Sequence, residues 1–291
     1  MAYLYTVYGL TAQSNIPIWL LPEHTPATAN RKIDLSLHFQ QGNIRRCSGG
    51  ESIAICPVCN DCYEIRIPGI ATYQVSLSEI SCIAPDENAF LSTLWNLPFS
   101  VWFLLHGELL IHACAVVANN SLILLMGSKG AGKSTLSFLL DHHAFLPFFA
   151  DDTVRLDCAS SGYRAHGYAK LFPSILTKIG GDSTGSLNLA GKLYTPCSFS
   201  DAAVLPVRAA VFLKRGAAFS FEASKFSQAT MWRQNIVGLT YLPPALLRQV
   251  MALPMPPHSI YRMTLPNDFQ QTVRLLPEIK KKFLSIACSE P

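Results

Sequence analysis

The 291-residue chain has no apolar run of the roughly 18 residues that a membrane-spanning helix needs. It begins without the charged start and cleavage site of a secretory signal. Charged residues make up only 14% of the chain, and the formal net charge of +4 comes from scattered Lys and Arg. That balance is too mild to argue for a nucleic-acid partner. We therefore expect a cytoplasmic protein with neither a membrane nor a nucleic acid as its partner.

Hydrophobic residues make up 49% of the sequence, enough for one large core or for one core with a smaller attached domain. No internal repeat is evident. Residues 1–100 are rich in β-formers and predict a small antiparallel sheet, followed by a linking helix over 87–106 that Pro98 interrupts. Residues 101–291 form the second predicted domain. The expected fold class is α/β (α+β), with a mixed, largely antiparallel main sheet.

One segment matches the phosphate-binding loop pattern of Gly, four spacers, Gly, Lys and Ser or Thr. It follows an apolar strand and opens a helix, so its backbone N–H groups and the positive helix end favour a phosphate. Lys133 adds a point charge, and the Ser134 hydroxyl is placed to reach a magnesium ion. The predicted nucleotide-binding residues are Gly127, Ser128, Lys129, Gly130, Ala131, Gly132, Lys133, Ser134 and Thr135.

The strand before this loop is predicted to belong to an antiparallel hairpin. Two apolar runs, 110–118 and 121–126, flank Asn119-Asn120, which is a two-residue turn signal. A parallel neighbour would need a long crossover instead. In this register His112 faces Gly127, so we expect the imidazole to lie beside the nucleotide phosphates rather than to be an ordinary core histidine.

Two acids follow the next short apolar strand, 145–150. Asp151 and Asp152 come one helix after the loop, where carboxylates that hold magnesium are found in phosphoryl-transfer proteins. Because successive strand side chains alternate in direction, one acid can face the metal while the other points elsewhere. The alternative is that both acids simply cap the following turn. The sequence leaves open which of the two acids would bind the metal.

Together these groups predict a kinase that uses ATP and Mg²⁺. Lys133 and the loop amides would hold the outer phosphates, and Ser134 with one of the acids would bind the magnesium ion. The other acid, helped by His112, would accept the proton of an attacking hydroxyl. The predicted catalytic residues are therefore Asp151, Asp152, His112 and Lys133, and the predicted magnesium ligands are Ser134, Asp151 and Asp152.

A second candidate site is the cysteine triplet Cys56, Cys59 and Cys62. Cys47 and Cys82 are near enough in sequence to complete four thiolates for zinc or an iron–sulfur cluster. The alternative is a surface hairpin with reduced thiols, which a single cluster without a second matching pair favours.

The motif set resembles the catalytic domain of the HPr serine kinase family, whose fold is similar to that of ATP-dependent phosphoenolpyruvate carboxykinase. The resemblance covers residues 109–157 and rests on Ile111-His112-Ala113, the loop ending in Lys133-Ser134, and Ala150-Asp151-Asp152. It implies that residues 101–291 are a phosphate-loop kinase domain with the roles given above. Residues 1–100 do not look like the separate amino-terminal domain of that family.

Three segments are similar instead to the compact HPr-kinase-like proteins of ribosomal peptide biosynthesis, including that of lasso peptides: Tyr8-Gly9-Leu10, Ile67-Pro68-Gly69-Ile70-Ala71 and the strand with His112. This resemblance implies a peptide or small-protein substrate phosphorylated on serine, often the terminal residue. Two alternatives remain open at this point: a small-molecule hydroxyl kinase on the same fold, and a non-catalytic ATP-binding regulator. Whether the chain forms a homo-oligomer, which nucleotide base it prefers and which molecule accepts the phosphate are also left open.

Overall fold

A computed structural model describes residues 2–21, 32–44, 52–164, 168–171, 176–177, 187–189, 192–196, 204–224, 228–253 and 259–288. The chain divides into two compact units, Met1–Leu110 with Ile236–Pro254 and Ile111–Asn235 with Met255–Pro291. This division differs from the predicted boundary between 1–100 and 101–291, because a late segment belongs to the first unit. That residues 1–100 and 101–291 are separate functional domains stays a prediction.

The described residues form strands and helices with the following bounds. The strands are β1 Tyr3–Val7, β2 Leu10–Ser14, β3 Leu35–Gln41, β4 Ala54–Cys59, β5 Cys62–Ile67, β6 Ala71–Ser76, β7 Glu79–Ala84, β8 Leu109–Ile111, β9 Cys114–Ala118, β10 Ser121–Met126, β11 Phe148–Ala150, β12 Val154–Leu156, β13 Ser161–Arg164, β14 Tyr168–Leu171, β15 Leu187–Leu189, β16 Lys192–Pro196, β17 Val204–Gly216, β18 Ser220–Ala223 and β19 Ser259–Pro266. The helices are α1 Glu87–Leu94, α2 Leu97–Leu105, α3 Lys133–Ala144, α4 Gln228–Arg233, α5 Pro244–Ala252, α6 Phe269–Arg274 and α7 Leu276–Cys288, with a 3₁₀ turn at Leu239–Tyr241.

The first unit contains a seven-stranded sheet in the order β1-β2-β3-β7-β6-β5-β4. The prediction of an antiparallel sheet is wrong in part, because β2 pairs with β3 and β3 pairs with β7 in parallel. Parallel neighbours need long connections, and the chain supplies them: residues 15–34 separate β2 from β3, and three strands separate β3 from β7. Alternating β-formers predict a strand but carry no signal of its partner.

The structure has two helices, α1 and α2, where one linking helix was predicted. Asp86 caps α1, since its carboxylate accepts a hydrogen bond from the backbone N–H of Ala89 at 2.8 Å. Pro98 lies in the first turn of α2, where its missing N–H costs nothing. The predicted interruption at this proline is therefore found, as a break between α1 and α2.

The second unit is built on a mixed sheet, which confirms the expected α/β class. From one side its strands run β11-β9-β10-β17-β13-β12, with β19 and then β18 beside the far half of β17. β9 is antiparallel to both β10 and β11, whereas β17 is parallel to both β10 and β19. A separate three-stranded sheet has the order β14-β16-β15.

The hairpin of β9 and β10 has the predicted register. Asn119 and Asn120 have φ of 47° and 55°, the left-handed values of a two-residue turn, and Ala118 faces Ser121. Pairing continues as far as Cys114 with Leu125. His112 lies before the first paired residue of β9, so the ladder does not include the predicted pairing of His112 with Gly127.

Helices α3 and α7 cover one face of this sheet. Leu139 of α3 and Phe283 of α7 are fully buried in the same cluster as Leu125 and Val211 of the central strands. Full burial of such a side chain contributes about 1.5–3 kcal/mol, so the cluster holds α3, and with it the loop before α3, against the sheet. Within the described segments, no helix combines the length and the apolar character needed to cross a membrane.

Candidate active site

The predicted phosphate loop connects β10 to α3 as a tight turn. Gly127, Gly130 and Gly132 have φ of 135°, 85° and 99°, a region that side chains with a Cβ rarely adopt. A Cβ on Gly127 would lie 2.5 Å from the carbonyl oxygen of Leu213 on the neighbouring strand. Glycine is therefore required there both by the backbone conformation and by the close approach of β17.

Lys133 is the first residue of α3 and folds back onto the loop. Its Nζ donates to the carbonyl oxygen of Gly127 at 2.7 Å and to that of Ser128 at 3.4 Å, and the residue is only 8% exposed. The middle of the loop, Ser128 to Gly130, is exposed to solvent. The loop thus curls around one ammonium group at the positive end of a helix, an arrangement that suits an anion.

Asp151 lies beside this loop because β11 pairs with β9. Its Oδ1 accepts three hydrogen bonds: from Ser134 Oγ at 2.8 Å, from Cys114 Sγ at 2.7 Å and from the backbone N–H of Asp152 at 2.9 Å. The residue is 3% exposed. A buried carboxylate needs such donors to offset its lost hydration. The geometry therefore joins Asp151 to the loop through the hydroxyl of Ser134.

Asp152 points to a different partner. Its Oδ1 lies 3.3 Å from Nδ1 of His112, and its φ is 69°, a strained value for a residue other than glycine. Such strain costs on the order of 1–3 kcal/mol and is common at functional sites. The backbone N–H of His112 donates to the carbonyl oxygen of Asn235 at 2.6 Å, which fixes the segment that carries the imidazole.

Burial is the main influence on the pKa of His112, which it lowers; Lys133 acts in the same direction. The carboxylates of Asp152 and Asp151 oppose this shift, but the net direction is down. The imidazole is therefore neutral at pH 7, and its Nδ1–H can donate to Asp152. A neutral imidazole in this position holds a carboxylate and remains able to take up a proton.

Cys114 is a site residue that the motif reasoning missed. It is fully buried, its Sγ lies 3.7 Å from Ser134 Oγ, and its thiol donates to Asp151. Burial raises the pKa of this thiol well above its ordinary value, with the neighbouring Asp151 adding to the shift, so the group stays protonated and remains a donor. The one sequence signal was its spacing of two residues from His112, which favours a shared face in extended chain.

Arg215 was also missed. Its guanidinium lies against Gly132, where a Cβ would collide with Nη2, and its Nη1 donates to the carbonyl oxygen of Pro266 at 2.8 Å. Burial lowers its pKa. The signal in the sequence was a strand that ends in charge, Lys214-Arg215. A second cation thus lies against the last glycine of the loop.

A cleft of about 490 Å³ opens beside the start of the loop. Its lining combines the first two loop residues with the end of β17, the region of α4 and one residue of β19. The lining residues are Gly127, Ser128, Phe212, Leu213, Lys214, Thr230, Met231, Gln234 and Arg262.

The structure does not gather the three described cysteines of the triplet around a common centre. Cys56 and Cys59 are exposed, Cys62 is half-buried, and Cys59 and Cys62 pair across the β4–β5 hairpin. In the part of the chain that the structure describes, no three His, Cys, Asp or Glu side chains converge as a metal site would require. Cys47, one of the two candidates for the fourth ligand, lies outside the described residues. Cys82 is buried on β7, where its thiol contacts Tyr73.

Among the described residues, no cage of three or more such groups surrounds Asp151 either. Magnesium does not need one: it is usually held by one or two carboxylates together with phosphate oxygens and water. The Ser134 hydroxyl and the Asp151 carboxylate, 2.8 Å apart, are hard oxygen donors of this kind. The residues present therefore fit a magnesium ion that a nucleotide brings with it.

Comparisons with known proteins give little beyond this geometry. No protein-family model matches the chain, and no curated protein sequence matches it. One matching solved structure is the Hpr(Ser) kinase/phosphatase from Coxiella burnetii, which is 11% identical. The match covers 61% of this chain and 98% of that chain, with a TM-score of 0.33. A likeness at this level fixes neither the fold nor the activity of the chain.

Proposed function

We propose that the chain is a kinase that transfers the γ-phosphate of ATP to a serine hydroxyl of a peptide or small protein. The observation that carries the proposal is that two adjacent acids contact different partners. Asp151 is bonded to Ser134 at the phosphate loop, whereas Asp152 faces His112. A nucleotide-binding site alone needs the first pair but has no use for the second.

In this proposal the loop and its lysine bind the nucleotide phosphates. The N–H groups at the start of α3 and the positive end of the helix favour the anion. Lys133 Nζ, which contacts two loop carbonyls, is within the same turn and can exchange one of these contacts for a phosphate oxygen. Arg215 adds charge on the side of Gly132.

Ser134 and Asp151 would hold the magnesium ion. When bound, magnesium neutralises the charge of the outer phosphates. Asp151 has one oxygen, Oδ1, committed to three donors. These three donors fix the plane of the carboxylate and thereby set the direction of its second oxygen.

Asp152 would accept the proton of the acceptor, with His112 orienting it. The serine oxygen forms a bond to the γ-phosphorus while the bond from that phosphorus to the bridging oxygen of ADP breaks. The serine proton passes to the Asp152 carboxylate, so charge and atoms balance. A positioned base of this kind contributes typically 10²–10⁴-fold. The resemblance to peptide-tailoring kinases suggests a precursor peptide of the lasso type as the acceptor.

The test is phosphate transfer from γ-labelled ATP with Mg²⁺ to a pool of serine peptides, read by mass, beside a pool with alanine in place of serine. We expect label only in the serine pool. Asp152→Asn should lose transfer but keep ADP affinity, and Asp151→Asn should weaken Mg²⁺-dependent ADP binding. Glu278→Gln, an equal charge change on the exposed face of α7, is the matched control.

Four results would contradict the proposal. Transfer to small hydroxyl compounds but to no peptide would support the small-molecule kinase. Binding of ATP with no transfer to any acceptor would support the regulator, as would full biological effect in a doubly substituted Asp151→Asn, Asp152→Asn chain. An unchanged rate of transfer in Asp152→Asn would show that Asp152 is not the base.

A further inference from the structure

The hairpin of β4 and β5 places two thiols directly opposite each other. Cys59 and Cys62 are Cα partners across its turn, in which Asp61 has a left-handed φ of 56°. Directly opposed residues of antiparallel strands have Cα atoms about 4.5–5.5 Å apart. A disulfide bond spans Cα distances of about 4.4–6.8 Å. The backbone separation of this pair therefore fits a disulfide without any change of register.

A bulge in β4 brings a third thiol to the same face of the hairpin. The pairing register of β4 shifts by one residue after Pro57. Cys56 pairs with Glu64, which is two residues from Cys62 on β5, so both thiols project to the same side. As a diagonal neighbour, Cys56 lies roughly 7–8 Å from Cys62, which is beyond the usual span of a disulfide. Cys59 is therefore the favoured partner of Cys62.

The two opposed thiols differ in their access to solvent. β4 is the last strand of its sheet, and on this hairpin Cys59 is exposed whereas Cys62 is half-buried. Burial raises the pKa of the Cys62 thiol, and the charge of Cys59 and a hydrogen bond with it act in the same direction. The two side chains thus interact in the reduced protein. Because Cys62 holds its proton more firmly and is less exposed, Cys59 is the thiol that meets a reagent first.

We propose that Cys59 and Cys62 are a redox-active pair that closes to a disulfide by exchange with a small-molecule disulfide, for which oxidised glutathione is the probe. The Cys59 thiolate attacks one sulfur of the reagent, which forms a mixed disulfide and releases one thiolate that takes up the Cys59 proton. The Cys62 sulfur then attacks the Cys59 sulfur, and the second thiol leaves with the Cys62 proton. The protein loses two hydrogens, and the reagent is reduced to two thiols.

The geometry favours a bond that is easily reduced again. Opposed residues have Cβ atoms about 4.5–5.5 Å apart, whereas a disulfide holds them at about 3.5–4.5 Å. Closing the bond therefore draws the strand ends together at the turn and stores strain, and strained, exposed disulfides are the labile ones. The pair belongs to the first unit, so its chemistry stands whether or not the chain is a kinase.

The test measures the oxidised fraction of each cysteine in the full-length protein. Reduced protein is equilibrated with mixtures of reduced and oxidised glutathione and quenched in acid. Free thiols are alkylated with a light reagent, disulfides are then reduced and alkylated with its heavy form, and mass spectrometry reads each cysteine. We expect Cys59 and Cys62 to oxidise to equal extents, with a mass lower by two hydrogens and full reversal by dithiothreitol. At about 1 mM reduced glutathione the ring should exceed the mixed disulfide about tenfold, because a linked thiol acts at an effective concentration of the order of 10 mM.

Single variants assign the roles of the thiols. Cys62→Ser should trap glutathione on Cys59, and Cys59→Ser should abolish the ring. Cys56→Ser should keep the ring, as should Cys158→Ser, the matched control that removes an exposed thiol outside the hairpin. Thermal unfolding shows whether each variant is folded. In urea the ratio of ring to mixed disulfide should fall, since the unfolded chain does not hold the two thiols opposite each other.

Four outcomes would overturn the proposal. One is separate glutathione adducts on Cys59 and Cys62 with no bond between them at any glutathione ratio. Another is a disulfide that uses Cys56 in place of either residue. An undiminished ratio of ring to mixed disulfide in urea would assign closure to the spacing in the sequence and not to the hairpin. Zinc that binds the reduced protein and protects all three thiols from alkylation would assign the triplet to a metal instead.

Discussion

Substitution of Cys114 by alanine tests how Asp151 is held. The thiol donates to Asp151 Oδ1 at 2.7 Å and is fully buried, so no water takes its place when it is removed. A hydrogen bond to a charged group contributes about 1.5–3 kcal/mol, and a thiol is a weak donor. Ser134 and the backbone N–H of Asp152 keep two donors on the same oxygen. We therefore expect Cys114→Ala to lower the free energy of unfolding by about 1–2 kcal/mol.

The effect on the site separates positioning from packing. With one donor fewer, Asp151 loses part of its orientation, so Mg²⁺-dependent ADP affinity should fall by about fivefold, the equivalent of roughly 1 kcal/mol. ADP affinity measured in EDTA should not change. Cys114→Ser restores a hydroxyl donor in a smaller volume and should recover most of the Mg²⁺ dependence even if its stability stays low.

Urea unfolding and calorimetric ADP titration, with and without Mg²⁺, provide the two readouts. If Cys114→Ala loses stability while its Mg²⁺-dependent ADP affinity stays at the wild-type value, the thiol only packs. If alanine and serine behave alike in both readouts, the hydrogen bond has no role and the reasoning is refuted.

Three other predictions follow from the geometry. Gly127→Ala places a Cβ 2.5 Å from the Leu213 carbonyl oxygen at a φ of 135°, and should lower the free energy of unfolding in urea by about 2–4 kcal/mol. Gly130→Ala, with open space around its Cβ, should lower it by only about 1 kcal/mol. Equal losses would contradict the steric explanation. Asp152→Asn should lower the initial rate of transfer by at least about 10²-fold at unchanged ADP affinity. Burial raises the pKa of Cys82 from 9.0 to about 12. Above pH 9 the folded state therefore keeps a proton that the unfolded state loses. The stabilisation that comes from this difference is complete below pH 9. Above that pH the free energy of unfolding should fall by up to about 1.4 kcal/mol per pH unit. Cys82→Ala should flatten that slope in urea titrations between pH 8 and 11, and an identical slope would contradict the assignment.

The parts of the site that sequence predicts are those set by local chemistry. A two-residue Asn-Asn turn determines the register of its hairpin, and glycine spacing determines the loop. The contact between Cys114 and Asp151 depends instead on the pairing of β11 with β9, in which Ala150 faces Ala115. No local pattern encodes that pairing.

The same limit explains the remaining differences. Two adjacent acids look equivalent in a sequence, and only the left-handed φ of Asp152 turns its carboxylate to His112 while Asp151 stays on Ser134. The parallel strands of the first unit were missed because alternation of β-formers defines a strand and its faces, not its neighbours. The segment Ile236–Pro254 joins the first unit through long-range packing, which no periodicity reports.

The turn at the far end of the hairpin has a direct bearing on the chemistry of the site. Cys114 is four residues from Ala118, roughly 14 Å along β9. The register that places Cys114 opposite Leu125 is nevertheless set by the Ala118–Ser121 pair at the turn. A register shift of one residue would reverse every side chain of the strand and take the Cys114 thiol away from Asp151. Asn119 resists such a shift, because both turn residues hold left-handed φ values and its amide donates to Cys288 Sγ at 2.7 Å. The contact between β9 and the acid therefore depends on two asparagines that lie nowhere near the phosphate loop.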